Sequence, residues 1–324
     1  MYPTISIVLP VFNEEQSLTA LHERLSRVMR QLGETYELIF INDGSRDGSL
    51  ELLKKLGEED PALKVVSLSR NFGHQIAITC GLDYACGRAV VIMDADLQDP
   101  PELIPELIEK WREGYDVVYA VRERRRGETV FKRVTAALFY RLIRRLAHVE
   151  IPADTGDFRL LSRRAVEALK SSKERNRFIR GLVSWIGYRQ TGVRFTREAR
   201  ASGKTKYRFR KMLKFSIDGI IGFSFFPLQV ATYFGFLISG LSFLYIAYAV
   251  ILKLLTDRPL IGWTSVIVAI LFVGGVQLIT VGVIGEYIGR IYEEVKQRPL
   301  YLVDEALGFE SESRRGSEDE RQGA

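Results

Sequence analysis

Two long stretches without a charged side chain, Phe223 to Leu252 and Leu260 to Gly285, constrain this chain more than any other feature. A helix needs about 20 apolar residues to cross the roughly 30 Å hydrocarbon core of a bilayer, and both stretches are long enough. Between them lies the turn-like run Lys253 to Pro259. The pattern predicts a two-helix transmembrane hairpin within residues 223–292, with helices over about 225–252 and 261–286. Buried helices of a soluble protein are the competing reading. Lys204, Lys206, Arg208, Arg210, Lys211 and Lys214 precede the first span, and Arg290, Lys296 and Arg298 follow the second. The connection carries only Lys253 and Arg258. By the positive-inside rule both termini are expected on the cytoplasmic side of the cell inner (plasma) membrane. Met1 to Glu15 lacks the basic-then-apolar order of a signal segment.

With 324 residues, 47% of them hydrophobic, the chain has room for one large domain ahead of the hairpin. Strand signals at 5–9, 37–41, 64–68, 89–93 and 116–121 alternate with helical runs at 16–32, 48–59, 75–85 and 102–112. Such alternation predicts an α/β domain with a parallel, doubly wound sheet over residues 1–203. A last strand at 191–196 is expected before a basic juxtamembrane segment, 204–222, and in the plainer reading of Asp157 this residue caps a helix over 160–169. Residues 304–324, charged and rich in Ser and Gly, read as a disordered cytoplasmic tail. Cys80 and Cys86 read as buried free thiols in a reducing compartment.

A net charge of +6 raises the question of nucleic acid, but the basic residues cluster beside the spans and between Arg122 and Arg145. There Val134, Leu138, Leu142 and Leu146 recur at helical spacing beside the basic side chains. That fits a helix lying on an anionic membrane surface, or an ordinary amphipathic helix packed on the core; no nucleic acid is expected.

Ligands of open α/β sheets bind at the carboxyl edge, so the residues that end each strand run carry the functional signal. The first run ends in Pro10-Val-Phe-Asn13-Glu14-Glu15, the second in Asn42-Asp43-Gly-Ser-Arg-Asp47 and the third in Ser69-Arg70-Asn-Phe-Gly-His74. The fourth ends in Asp94-Ala95-Asp96-Leu-Gln98. Taken singly, Asn13 is an ordinary cap and Asp43-Gly44 an ordinary turn. Asp94 and Asp96 lie two apart on an extended segment, where side chains point the same way and can share one hard divalent cation. Capping of the next helix is the plainer alternative. Four polar ends on one sheet edge favour a nucleotide pocket.

These motifs, with Asp154-Thr-Gly156-Asp157-Phe-Arg159-Leu, resemble the inverting family 2 glycosyltransferases of GT-A (Rossmann-like) fold, over roughly Pro3 to Tyr207. More narrowly they resemble the polyprenyl-phosphate glycosyltransferases, and the hairpin resembles the bactoprenol type. The resemblance implies a metal-dependent inverting transfer of a hexose, glucose from UDP-glucose in the first instance, from a nucleotide sugar to polyprenyl (undecaprenyl) phosphate. Mannose or an aminoarabinose derivative as the sugar, diacylglycerol as the acceptor, and a silent membrane scaffold are the alternatives. It implies that Pro10, Asn13, Glu14, Asp43, Arg70, Asp94, Ala95, Asp96 and Arg122 bind the nucleotide sugar, with Asp43 at the uracil or ribose. Asp96 and Gln98 would hold Mg²⁺ or Mn²⁺, and Asp94 and Asp157 would be catalytic. Arg126, Arg200, Ser202 and Lys204 would meet the lipid phosphate, although the run Arg200 to Tyr207 departs from the usual G-x-S-K-Y order. Gly203-Lys204-Thr205 mimics the end of a P-loop, but Glu198 stands where the first glycine belongs, which excludes a Walker A site. No Q-x-x-R-W is present, which argues against a processive synthase. Gly274, Gly275, Gly282, Gly285 and Gly289 would let helices of a homo-oligomer pack closely.

Overall fold

The computed structural model describes residues 3–122, 155–172, 174–175, 177–195, 226–255 and 262–309. They divide into two compact units, one comprising the residues up to 195 together with 298–309, the other residues 226–297.

The first unit begins with β1 (Ile5–Val11), α1 (Glu15–Leu32), β2 (Tyr36–Asn42), α2 (Ser49–Glu59), β3 (Leu63–Leu68), α3 (His74–Tyr84) and β4 (Ala89–Ile92). It continues through α4 (Ile104–Arg112), β5 (Val117–Arg122), β6 (Thr155–Ser162), α5 (Arg163–Ser171), α6 (Ile179–Trp185) and β7 (Gln190–Phe195). Among the described residues the strands form one sheet in the order β7-β5-β6-β4-β1-β2-β3-β8, where β8 is Val303–Leu307. Alternation along β1 shows how the layers form. Ile5, Ile7 and Leu9 point into one core with Leu18, Leu21 and Leu25 of α1 and Leu107 of α4. Val8 points into the other, with Ala77 and Ile78 of α3 and Val166 of α5. Both faces are thus covered, as a largely parallel sheet requires.

The α/β reading holds, but the sheet is mixed rather than parallel throughout. β6 runs antiparallel between β4 and β5, and β8 runs antiparallel along β3. The expected helix over 160–169 is therefore corrected: its first residues end β6, and α5 starts at Arg163, capped by the Ser162 side chain. Phe158, Leu160 and Leu161 are apolar at spacings that suit a helix, yet Phe158 and Leu160 enter one core and Leu161 the other. The tail expected from Asp304 is corrected as well, because Asp304 to Leu307 lie in β8. Tyr301 donates to Asp83 at 2.8 Å and the Phe309 ring packs tilted against Tyr84, centroids 4.9 Å apart, so packing holds a segment whose overall composition reads as disordered. Of the two thiols, Cys80 is buried as expected, whereas Cys86 is exposed, since α3 ends before it.

The second unit is the helix pair α7 (Phe226–Leu255) and α8 (Trp263–Val295). Both are long and apolar enough to cross a membrane, over Leu228–Tyr245 and Phe272–Val295. Their large apolar side chains, Phe236, Phe243 and Leu278 among them, are exposed. A Cβ built on any of the five α8 glycines meets no atom within 4 Å, so intrachain packing does not require them.

Candidate active site

β1 to β5 are mutually parallel in direction, so their carboxyl ends share one edge of the sheet. Because β6 is antiparallel, its amino end lies at that same edge: Thr155 is paired with Val121, and Arg159 with Ile92. The sheet topology thereby brings Asp157 beside the end of β4, from which Asp94 projects.

Pro10 sits inside a central strand, where a missing N–H normally breaks a ladder. In a parallel strand alternate residues face opposite neighbours, and Val8 faces β4 while accepting the Met93 amide at 3.1 Å. Pro10 faces the same side two residues on, past the last β4 pair at Val8–Ile92. It costs no ladder bond, and the chain after Met93 is free to leave β1.

The next three loops interlock. Asn13 takes a left-handed turn (φ 57°), which Asn tolerates. Its amide donates to Ser45 Oγ at 3.0 Å and its Oδ1 accepts the Arg46 amide at 2.8 Å. Glu14 donates its amide to Ser49 Oγ at 3.0 Å. Asp43 is buried, and its two oxygens accept the Phe72 and Gly73 amides at 2.7 and 2.9 Å. Burial pushes the Asp43 carboxyl above its ordinary range against those bonds. Gly44, at φ +63°, lies so close to the next loop that a Cβ would stand 2.6 Å from the Arg70 carbonyl carbon. Arg70 packs on the Phe72 ring at 4.1 Å. Asn13, Glu14, Asp43 and Arg70 are therefore gathered, and they build the loop framework at the edge.

A second group lies at the β4 and β6 ends. His74 Nε2 stands 3.4 Å from Asp94 Oδ1 and 3.2 Å from Asp157 Oδ2. Arg180 donates from Nε and Nη2 to the two Asp157 oxygens at 2.8 and 3.1 Å, and Gln75 reaches Oδ2 at 3.4 Å. Burial opposes ionisation of Asp157, but the His74 bond and the Arg180 charge outweigh it and hold the carboxyl well below the usual range. Burial would likewise lower His74, yet Asp157 and Asp94 raise it. Arg159, fully within the sheet, is brought down to about 10 by burial. Asp157 is a strand residue, not a helix cap. His74 and Arg159 stand inside motifs visible in the sequence but give no signal of their own there; Arg180 and Gln75 carry no sequence signal at all, because only the fold brings them to Asp157.

Between Asp94 and Asp99 the chain turns tightly: Leu97 is left-handed (φ 60°), a conformation that strains a non-glycine residue, and Asp96 Oδ1 accepts the Gln98 amide at 3.1 Å. Ala95 and Gln98 are buried, while Asp94 and Asp96 are partly open. Among the described residues no three His, Cys, Asp or Glu side chains converge as a metal cage. A partly open Asp96 on a tight loop beside Gln98 fits Mg²⁺ or Mn²⁺, which keep waters and take substrate phosphate oxygens rather than filling a protein cage. Arg122 ends β5, with its backbone opposite Phe195. Arg126, Arg200, Ser202, Lys204 and the apolar stripe from Val134 to Leu146 lie outside the described residues.

Comparison with known proteins adds the family. Residues 6–170 match glycosyl transferase family 2, and residues 226–291 match the GtrB C-terminal hairpin. The glycosyltransferase YkcC of Bacillus subtilis is 56% identical over 306 residues, 94% of this chain and 95% of its own length. The bactoprenol glucosyl transferase of Shigella phage SfII is 44% identical over 299 residues, 92% of this chain and 97% of its own. Among solved structures, Mycobacterium tuberculosis glucosyl-3-phosphoglycerate synthase with Mn²⁺ and UDP-glucose aligns with 66% of this chain and 76% of its own, at 20% identity and a TM-score of 0.44, a likeness too weak to argue from. On its sequence family and its relatives, the chain belongs to glycosyl transferase family 2.

Proposed function

We propose that this glycosyltransferase transfers glucose from UDP-glucose to polyprenyl phosphate, with inversion at C1, at the cytoplasmic face of the membrane. The observation that carries the reading is the Asp94–His74–Asp157–Arg180 cluster at the carboxyl edge, in a chain that also holds two helices apolar enough to enter a bilayer. The relative named bactoprenol glucosyl transferase, alike across both parts, supports the sugar and the lipid.

The chemistry suits the residues. A lipid phosphate monoester, with its second pKa near 6, is already mostly an anion at neutral pH and needs no strong base to make it a nucleophile. One of its oxygens bonds to the sugar C1 as the C1–oxygen bond to the diphosphate breaks, and the electron pair leaves on the nucleoside diphosphate. The enzyme must hold donor and acceptor in line and stabilise charge, positive on the ring and negative on the leaving group. Asp96, with Gln98, would hold the divalent ion, which supplies neutralisation of the diphosphate. Asp94 and Asp157 face the sugar, and Asp43 and its loop carry the nucleoside. Arg122, Arg126, Arg200, Ser202 and Lys204 remain the candidates for phosphate groups of donor and lipid.

The test is a transfer assay with the purified full-length protein, undecaprenyl phosphate or diacylglycerol, and a panel of sugar nucleotides. Lipid-linked glucose from UDP-glucose is expected. Turnover with a mannose or aminoarabinose donor instead replaces the sugar, turnover on diacylglycerol alone replaces the acceptor, and no turnover with any pair rejects the reading.

A further inference from the structure

Asp157 is gripped from two helices. Arg180, in the first turn of α6, presents two donors to its two oxygens. Gln75, in the first turn of α3, donates to Oδ2 while its own Oε1 accepts the Ile179 amide at 2.9 Å, so one side chain braces both the carboxylate and the start of α6. His74 adds a third contact at 3.2 Å. From Asp157's own strand, Arg159 donates to the Gly156 and Asp157 carbonyls at 2.7 and 3.3 Å. The charged groups around Asp157 are thus His74 from α3, Arg180 from α6 and Arg159 from β6, with Asp94 beyond His74. The Asp157 side chain is 5% exposed and that of Arg180 28%. A half-buried ion pair is weak evidence of stability, because desolvation cancels much of the attraction. What the fork supplies is one fixed orientation.

We propose that Arg180 is a positioning residue, which with Gln75 as its brace fixes the Asp157 carboxylate as a stationary negative charge beside the reacting sugar rather than as a proton acceptor. The inference rests on the reading of Asp157 given under Proposed function. A carboxylate whose oxygens are taken by a guanidinium and an imidazole is a poor base, and attack by a phosphate anion leaves no proton to remove.

The experiment uses the full-length protein with the donor and lipid that the panel identifies, and compares Arg180→Ala, Arg180→Lys, Asp157→Asn and the Arg180→Ala/Asp157→Asn double variant. Arg180→Ala should lower kcat by about 10²-fold, the scale of a small misplacement of a reacting group, with both KM values little changed. The double variant should be no slower than Asp157→Asn alone, since Arg180 acts through Asp157. Arg180→Lys, keeping the charge but not the fork, should recover part of the rate. Multiplicative losses in the double variant overturn the proposal, as does a raised donor KM with intact kcat, which would put Arg180 on the diphosphate. If Arg180→Ala does not fold, Arg180→Lys decides: a lowered kcat with both KM values little changed supports the proposal, and full kcat overturns it. Should Asp157→Asn keep its turnover, the Asp157 reading fails and this inference with it; should Asp157→Asn lose turnover while Arg180→Ala does not, only the positioning role fails.

Discussion

Asp96 and Gly44 show how differently single residues serve this edge. Asp96→Ala should cost orders of magnitude in transfer with little change in melting, because its loop is partly open and its carboxylate is read as a metal ligand. Chelation should abolish transfer, and Mg²⁺ or Mn²⁺ should restore it; full activity in excess EDTA removes the metal from the mechanism. Gly44→Ala should instead destabilise the fold. A left-handed backbone costs a non-glycine residue about 1–2 kcal/mol, and the new Cβ would also collide with the Arg70 and Asn71 backbone. A urea melt of the variant that matches the parent would show that the loop relaxes freely. A third residue reports on pH. The Arg164 guanidinium beside Asp116 holds its carboxyl below the usual range. A depressed folded pKa adds stability above the unfolded value, about 3.9, which is lost as pH falls through the lower folded one. Asp116→Asn should therefore flatten the decline in stability below about pH 4, and a decline as steep as the parent's would place the acid sensitivity elsewhere.

At the scale of elements, β8 is the informative case. Val303 to Leu307 cover the β3 edge, Lys54 pairs with Glu305 at 2.6 Å, and the Ser69 amide donates to the Leu302 carbonyl at 3.0 Å. That last bond reaches the loop that carries Arg70. Tyr301→Phe should cost about 1 kcal/mol, the usual worth of one such hydrogen bond to the Asp83 carboxyl. Ending the chain after Tyr301 should cost more and bare a strand edge, so a lower melting temperature with aggregation is expected. An unchanged melt and a monodisperse profile would show that β8 is dispensable. The helix α8 extends well past the expected end near residue 286, to Val295, and carries Glu286 and Arg290 paired at 3.4 Å.

For the whole molecule, the reading of a hairpin with both termini inside makes a labelling prediction. A cysteine replacing Asp257 should react with an impermeant reagent from outside the cell, and one replacing Asp304 should not. The background must lack Cys86, whose thiol is exposed. The opposite pattern would reject the orientation and the cytoplasmic reading of the sugar-nucleotide site.

Sequence alone determined the features set by local pattern. Charge-free length marked α7 and α8, alternation marked the strands of both cores, and Asp43, Asp94 and Asp96 stood out together as polar groups at the ends of strand runs on one sheet edge, whereas Asp157 entered only with the family resemblance. Tertiary structure decided what depends on contacts distant in the chain. The last residues of β6 read as the start of a helix until its neighbours β4 and β5 make them a strand, and most of β8 reads as tail until the β3 edge accepts it. Arg180 and Gln75 are ordinary helix residues in the sequence, 23 and 82 positions from Asp157. Only the antiparallel entry of β6 at the carboxyl edge sets them around one carboxylate, because strand direction and pairing order are properties of the whole sheet and of no single segment.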